Sequence, residues 1–94
     1  MALFALICID KPGALELRLK TREAHLAYIR ERGLPRLGGP LLDANGDMAG
    51  SLMIIEAEDL AAAEAFSAGD PYAKARLFER VEIRPWRVTV GQLA

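Results

Sequence analysis

Leu3-Phe4-Ala5-Leu6-Ile7-Cys8-Ile9 is an unbroken apolar run, closed by the turn formers Asp10-Lys11-Pro12-Gly13. Such a run, with β-branched and aromatic members, is the pattern of a strand buried on both faces. A second run of the same kind, Leu52-Met53-Ile54-Ile55, lies between Met48 and Ala57. These two segments predict the central strands of a sheet, and the rest of the chain is read outward from them.

From Ala14 to Arg32 there is no Pro or Gly, and Leu15, Leu19, Leu26 and Ile29 recur at helical spacing. The periodicity predicts a long helix with one apolar stripe, stopped by Gly33. Leu34 to Leu42 carries Pro35, Gly38, Gly39 and Pro40 and predicts an irregular strand at a sheet edge. Asp43-Ala44-Asn45-Gly46-Asp47 predicts a hairpin turn, with Asn45 and Gly46 taking positive φ. An alanine-rich helix is predicted from Glu58 or Asp59 to about Ala68, ended by Gly69. Asp70-Pro71-Tyr72-Ala73-Lys74-Ala75 predicts one more helical turn, with Asp as N-cap and Pro as first helical residue. Phe78 to Val90 alternates Val81 and Ile83 against Glu82 and Arg84, and Pro85 marks this last strand as an edge.

The order β, α, β, β, α, β is that of the split βαβ unit. It predicts a ferredoxin-like α+β fold: a four-stranded antiparallel sheet with two helices on one face, in a single domain over residues 1–94. In that topology strands one and three are central, where both unbroken apolar runs fall, and both proline-bearing strands are edges. The helices cover one face only, yet the central strands are apolar on both. A bare apolar face of roughly several hundred square ångströms is uncommon on a soluble monomer, so a homodimer through the open sheet face is expected.

A 52% hydrophobic and 27% charged composition excludes a disordered tail. A formal charge of −1 leaves no field to hold a polyanion, so nucleic acid is not an expected partner. The lone Cys8 cannot form an internal disulfide and fits a reducing compartment. The opening apolar run lacks a basic leader and a small-residue cleavage site, and it is too short to cross a bilayer. The expected location is the cytoplasm, with no membrane partner.

Arg18, Arg22, His25 and Ile29 follow one another at three- and four-residue steps and form one ribbon along the first helix. At about 100° per residue, Arg22 falls inside the leucine stripe and His25 at its edge. Arg22 has a structural explanation in snorkelling or pairing with a buried carboxylate, and His25 in being a boundary residue. His25 is also the one histidine of the chain, hence the natural candidate for acid–base work near neutral pH. Asp70 is explained first as the cap of the turn at Pro71, although a capping carboxylate can also orient an imidazole. Gly38-Gly39-Pro40 would let backbone approach a ligand closely, or form an edge bulge, but is wrongly placed for a phosphate loop. Cys8 reads as an inert core thiol, and Tyr72 and Trp86 as packing or pocket-lining aromatics. Asp43, Asp47 and Glu56 lack metal-ligand spacing and no nucleotide fingerprint is present, so neither metal nor cofactor is expected.

Together, Arg22-x-x-His25-Leu26-x-x-Ile29, Gly39-Pro40-Leu41, Gly50-Ser51, Asp70-Pro71-Tyr72 and Ile83-x-Pro85-Trp86 resemble the YCII-related (YciI-like) proteins, in order and over nearly the whole chain. The resemblance implies a ferredoxin-like fold of the dimeric α/β barrel type, with a pocket between the first helix and the sheet. It also implies a catalytic His–Asp pair, carried here by His25 and Asp70, with Arg22, Ser51 and Tyr72 lining the pocket beside Gly39 and Pro40. Some relatives resemble lyases acting on halogenated hydroxyquinols. The expectation is acid–base elimination or isomerisation of a small polar aromatic or keto compound. The alternatives are a binding module for a small anionic metabolite and a structural dimerisation domain.

Overall fold

A computed structural model describes residues 1–93. The elements run β1 (Ala2–Asp10), α1 (Leu15–Arg32), β2 (Pro35–Leu42), β3 (Met48–Ala57), α2 (Leu60–Gly69), α3 (Pro71–Lys74) and β4 (Phe78–Trp86). The strands form one antiparallel sheet in the order β2-β3-β1-β4. This is the ferredoxin-like α+β arrangement, with both unbroken apolar strands in the middle.

Register sorts the side chains. Phe4 lies opposite Ile55, Leu6 opposite Met53 and Cys8 opposite Ser51, all on the helix-covered face. Phe4, Leu6, Met53, Ile55 and Ala57 join Ala63 and Phe66 of α2 in the core, and Tyr28 and Ile29 of α1 pack against it. The opposite face carries Leu3, Ala5 and Ile7 of β1 and Leu52 and Ile54 of β3, with Leu37 of β2 beside Ile54. Along β4 the same face changes character to Arg80, Glu82 and Arg84. Among the described residues no helix is long and apolar enough to cross a membrane.

Three local expectations are corrected. β4 ends at Trp86 rather than Val90. In the hairpin only Gly46 takes positive φ, at 83°. The carbonyl of Asp43 accepts Gly46 N at 3.0 Å, and its Oδ1 accepts the amides of Asn45 and Asp47 at 2.8 and 3.0 Å. This Asx-type turn keeps Asn45 at ordinary φ. Finally, Gly69 is the last residue of α2 and has no left-handed φ. A side chain there would put its Cβ 2.6 Å from the Tyr28 hydroxyl. The missing side chain lets Tyr28 of α1 reach α2, where its hydroxyl donates to the Phe66 carbonyl at 2.8 Å.

The inward face of α1 differs from the expected stripe. Its buried residues are Arg18 and His25, whereas Leu19 and Leu26 are 54% and 37% exposed. The helix is turned so that Arg18 and His25 face in, where both find carboxylates, while Leu26 borders an open space. α1 packs chiefly along α3 rather than onto the sheet. Gly33, at φ 68°, ends it as expected.

Replacing a helical glycine by alanine ordinarily stabilises by about 1 kcal/mol. Here Gly69→Ala should instead cost about 1–3 kcal/mol by displacing Tyr28. Thermal melting should fall in Gly69→Ala and lose that sensitivity in a Tyr28→Phe background; a rise in the Gly69→Ala melting temperature contradicts the contact.

Candidate functional site

Where α1 stands off the sheet, a cavity of about 380 Å³ opens between its polar ribbon and the strands β2 and β3. Its size suits a single small molecule. Arg22, His25 and Leu26 line it from α1, Gly38, Gly39 and Pro40 from β2, Ser51 and Met53 from β3, and Tyr72 from α3. The glycines let bare backbone form one wall. A Cβ on Gly38 would come within 2.7 Å of Met53 Cγ.

Behind the cavity, the chain turns from α2 into α3 at Asp70. Its side chain accepts the Tyr72 amide at 2.8 Å, and Pro71 occupies the first turn. This cap fixes the carboxylate, and both of its oxygens lie 2.9 Å from His25 Nδ1. An ionised carboxylate can only accept, so Nδ1 carries the hydrogen and Nε2 is left available to the cavity. The imidazole stacks on the Tyr72 ring, with centroids 4.0 Å apart and planes 18° from parallel.

The guanidinium of Arg18 lies 4.5 Å from the same ring's centroid. Tyr72 from α3 is therefore gripped by two side chains set two turns apart on α1. Burial raises the Tyr72 phenol above its ordinary value, against the opposing charges of Arg18 and Arg22. It remains a neutral O–H.

Arg18 is 2% exposed and makes a fork to Asp10, with Nε to Oδ2 at 2.7 Å and Nη2 to Oδ1 at 2.9 Å. Nη2 also donates to Ser51 Oγ at 2.9 Å. Burial works against the Arg18 charge, but the hydrogen bond and charge of Asp10 outweigh it and lift Arg18 above its ordinary value. It stays a cation.

The structure brings every expected site residue to one place: His25, Arg22, Ser51, Tyr72, Gly39 and Pro40 line the cavity, and Asp70 stands behind His25. Arg22 is corrected in one respect. It is exposed at the rim instead of lying inside the stripe, and the buried arginine is Arg18. Arg22 forms no ion pair among the described residues, whereas Arg36 at the mouth pairs with Glu56. Arg18 and Asp10 are the residues that sequence reasoning missed. The available signals were a carboxylate closing an apolar strand and an arginine on the same ribbon as His25. Among the described residues no three His, Cys, Asp or Glu side chains are grouped to hold a metal.

A family model described as the YCII-related domain matches residues 2–87. The chain belongs to the YCII-related family. It is 36% identical over 94 residues to Protein YciI of Escherichia coli O6:H1, covering 90% of this chain and 96% of that protein. Among solved structures it is similar to 5-chloro-2-hydroxyhydroquinone dehydrochlorinase (TftG) of Burkholderia phenoliruptrix AC1100 in complex with 2,5-dihydroxybenzoquinone. That likeness has 36% identity, a TM-score of 0.85 and coverage of 90% of this chain and 93% of TftG. An antibiotic biosynthesis monooxygenase, 16% identical with a TM-score of 0.60 and coverage of 95% and 99%, shares the fold alone.

Cys8 stands beside this site without taking part in its hydrogen bonds. Burial foremost, then the charge of Asp70, pushes its thiol from 9.0 up to about 12, with Arg18 pulling the other way. Between these values the unfolded chain releases a proton that the folded chain keeps. This contribution to stability is therefore whole below pH 9 and declines as pH rises toward 12. Iodoacetamide at mildly alkaline pH should label native protein slowly and denatured protein rapidly; equal rates contradict the burial.

Proposed function

We propose that this protein is an acid–base catalyst of the lyase or isomerase type, acting on a small hydroxylated aromatic or keto compound held in the α1–sheet cavity. The observation that carries the reading is His25, whose Nδ1 is committed to the capped Asp70 carboxylate and whose Nε2 is open to the cavity. A module built only to bind an anion has no need of that pair. The dehydrochlorinase activity in the name of TftG supports the same class of substrate.

In this reading Nε2 of His25 takes a proton from an acidic O–H or C–H of the ligand, and the imidazolium is stabilised by Asp70. The electron pair left behind moves into the ring or carbonyl system. There it either expels a leaving group or is reprotonated at another carbon. Arg22, the unpaired cation at the rim, faces the oxygen on which negative charge grows. Gly39 and Pro40 form the wall against which a flat ring lies, and Tyr72 holds the imidazole plane.

The working species in this proposal is a cytoplasmic homodimer. Leu3, Ile7, Leu52 and Leu37 on the open sheet face support it, since a second copy packed sheet to sheet would take them out of water.

The reading is tested with 5-chloro-2-hydroxyhydroquinone, following chloride release and the quinone absorbance. Wild type should turn the compound over. His25→Ala should lose about 10²–10⁴-fold while keeping the folded circular-dichroism spectrum at the assay temperature and its dimer mass in light scattering, although it melts lower because Asp70 loses its buried partner. Wild-type turnover in His25→Ala, or a wild type that neither converts the compound nor binds 2,5-dihydroxybenzoquinone, removes the reading.

A further inference from the structure

The buried pair Asp10–Arg18 has no part in the proton transfer just described, yet Arg18 borders the cavity and one of its hydrogen bonds ends on Ser51 in the same wall. We infer that Asp10 and Arg18 are positioning residues that make Ser51 a hydrogen-bond donor to an anionic or carbonyl oxygen of the ligand. The inference rests on the proposed function and adds to it a second point of recognition, separate from His25.

A serine hydroxyl has one hydrogen and two lone pairs, whereas a guanidinium has hydrogens only. Arg18 Nη2 donates to Ser51 Oγ at 2.9 Å, so one lone pair of Ser51 is taken. Arg18 cannot turn away, because Nε and Nη2 are held by both oxygens of Asp10. Its 2% exposure and its contact with the Tyr72 ring fix the remainder of the group. The Ser51 hydrogen has no acceptor among the described residues, and Ser51 lines the cavity. Donation from a cation into the oxygen also strengthens the O–H as a donor in turn.

The cavity thus offers an acceptor at His25 Nε2, a donor at Ser51 and a positive charge at Arg22. The complementary ligand carries a hydroxyl or acidic C–H that can lose a proton and, elsewhere on the same small ring, an oxygen that accepts. A hydroxyquinone or its enolate fits this pattern. A simple phenol or a purely cationic compound does not.

The probe is 2,5-dihydroxybenzoquinone, titrated into the full chain and followed by its visible absorbance. Ser51→Ala should weaken binding about 10-fold or more while keeping the folded circular-dichroism spectrum of wild type at the assay temperature, and Ser51→Thr, which keeps the hydroxyl, should bind like wild type. In an Arg18→Lys background the fork is lost, and Ser51→Ala should then cost less than about threefold. Asp10→Asn, which loosens the fork and leaves Arg18 in place, is the second background, and Ser51→Ala should cost less than about threefold there as well. Wild type and Ser51→Ala binding equally tightly overturns this inference and leaves the His25 reading standing. A wild type that does not bind the probe at all overturns both.

Discussion

Asp70 Oδ1 accepts the Tyr72 amide at 2.8 Å and lies 2.9 Å from His25 Nδ1, so the residue that follows α2 uses one carboxylate both to begin α3 and to fix the imidazole of α1. The cap costs the chain nothing extra, because the first amides of a helix need acceptors in any case. Holding that carboxylate still makes it a fixed partner for a side chain arriving from another helix. Tyr72, two residues on, then stacks on the imidazole that Asp70 orients. The site is in this sense an outgrowth of how α3 starts.

Two buried polar pairs set the position of α1. Removing one partner of such a pair typically costs about 3–5 kcal/mol, because the other is stranded away from water. Arg18 with Asp10, and His25 with Asp70, therefore dictate which side of the helix turns inward. Tyr28 adds a third tether, reaching the Phe66 carbonyl through the space left by Gly69. All three act toward β1, α2 and α3. Among the described residues the side of α1 toward β2 has no comparable hold, and the cavity lies there, walled by the backbone of Gly38 and Gly39.

The strand order was legible because it depends on apolar continuity and on where proline is tolerated, both of which are local properties. The cap at Asp70-Pro71 and the stop at Gly33 were legible for the same reason. Leu15, Leu19, Leu26 and Ile29 misled because periodicity assumes that the apolar side faces in. Here Arg18 and His25 face in, satisfied by carboxylates from β1 and the α2–α3 junction, and no pattern within the helix reveals partners so placed. The same blindness hid the Asp10–Arg18–Ser51 chain, which joins three elements. Gly69 was read as a terminator when its role is clearance for a tyrosine on another helix. His25 was reached as the one histidine of the chain, Asp70 as a cap able to orient an imidazole and Tyr72 as a candidate pocket aromatic, whereas Ser51 and the pairing of His25 with Asp70 came through the family resemblance. Spacing alone could not bring together His25 and Asp70, which are on separate elements.

The central claim is that Asp70 holds His25 with its proton on Nδ1 and a lone pair on Nε2 facing the cavity. Nitrogen-15 chemical shifts of the imidazole, followed through a pH series to their high-pH plateau, report this tautomer directly. The account predicts a protonated Nδ1 and an unprotonated Nε2, with that preference weakened in Asp70→Asn. A ring protonated on Nε2, or shifts that are the same in wild type and Asp70→Asn, would contradict it.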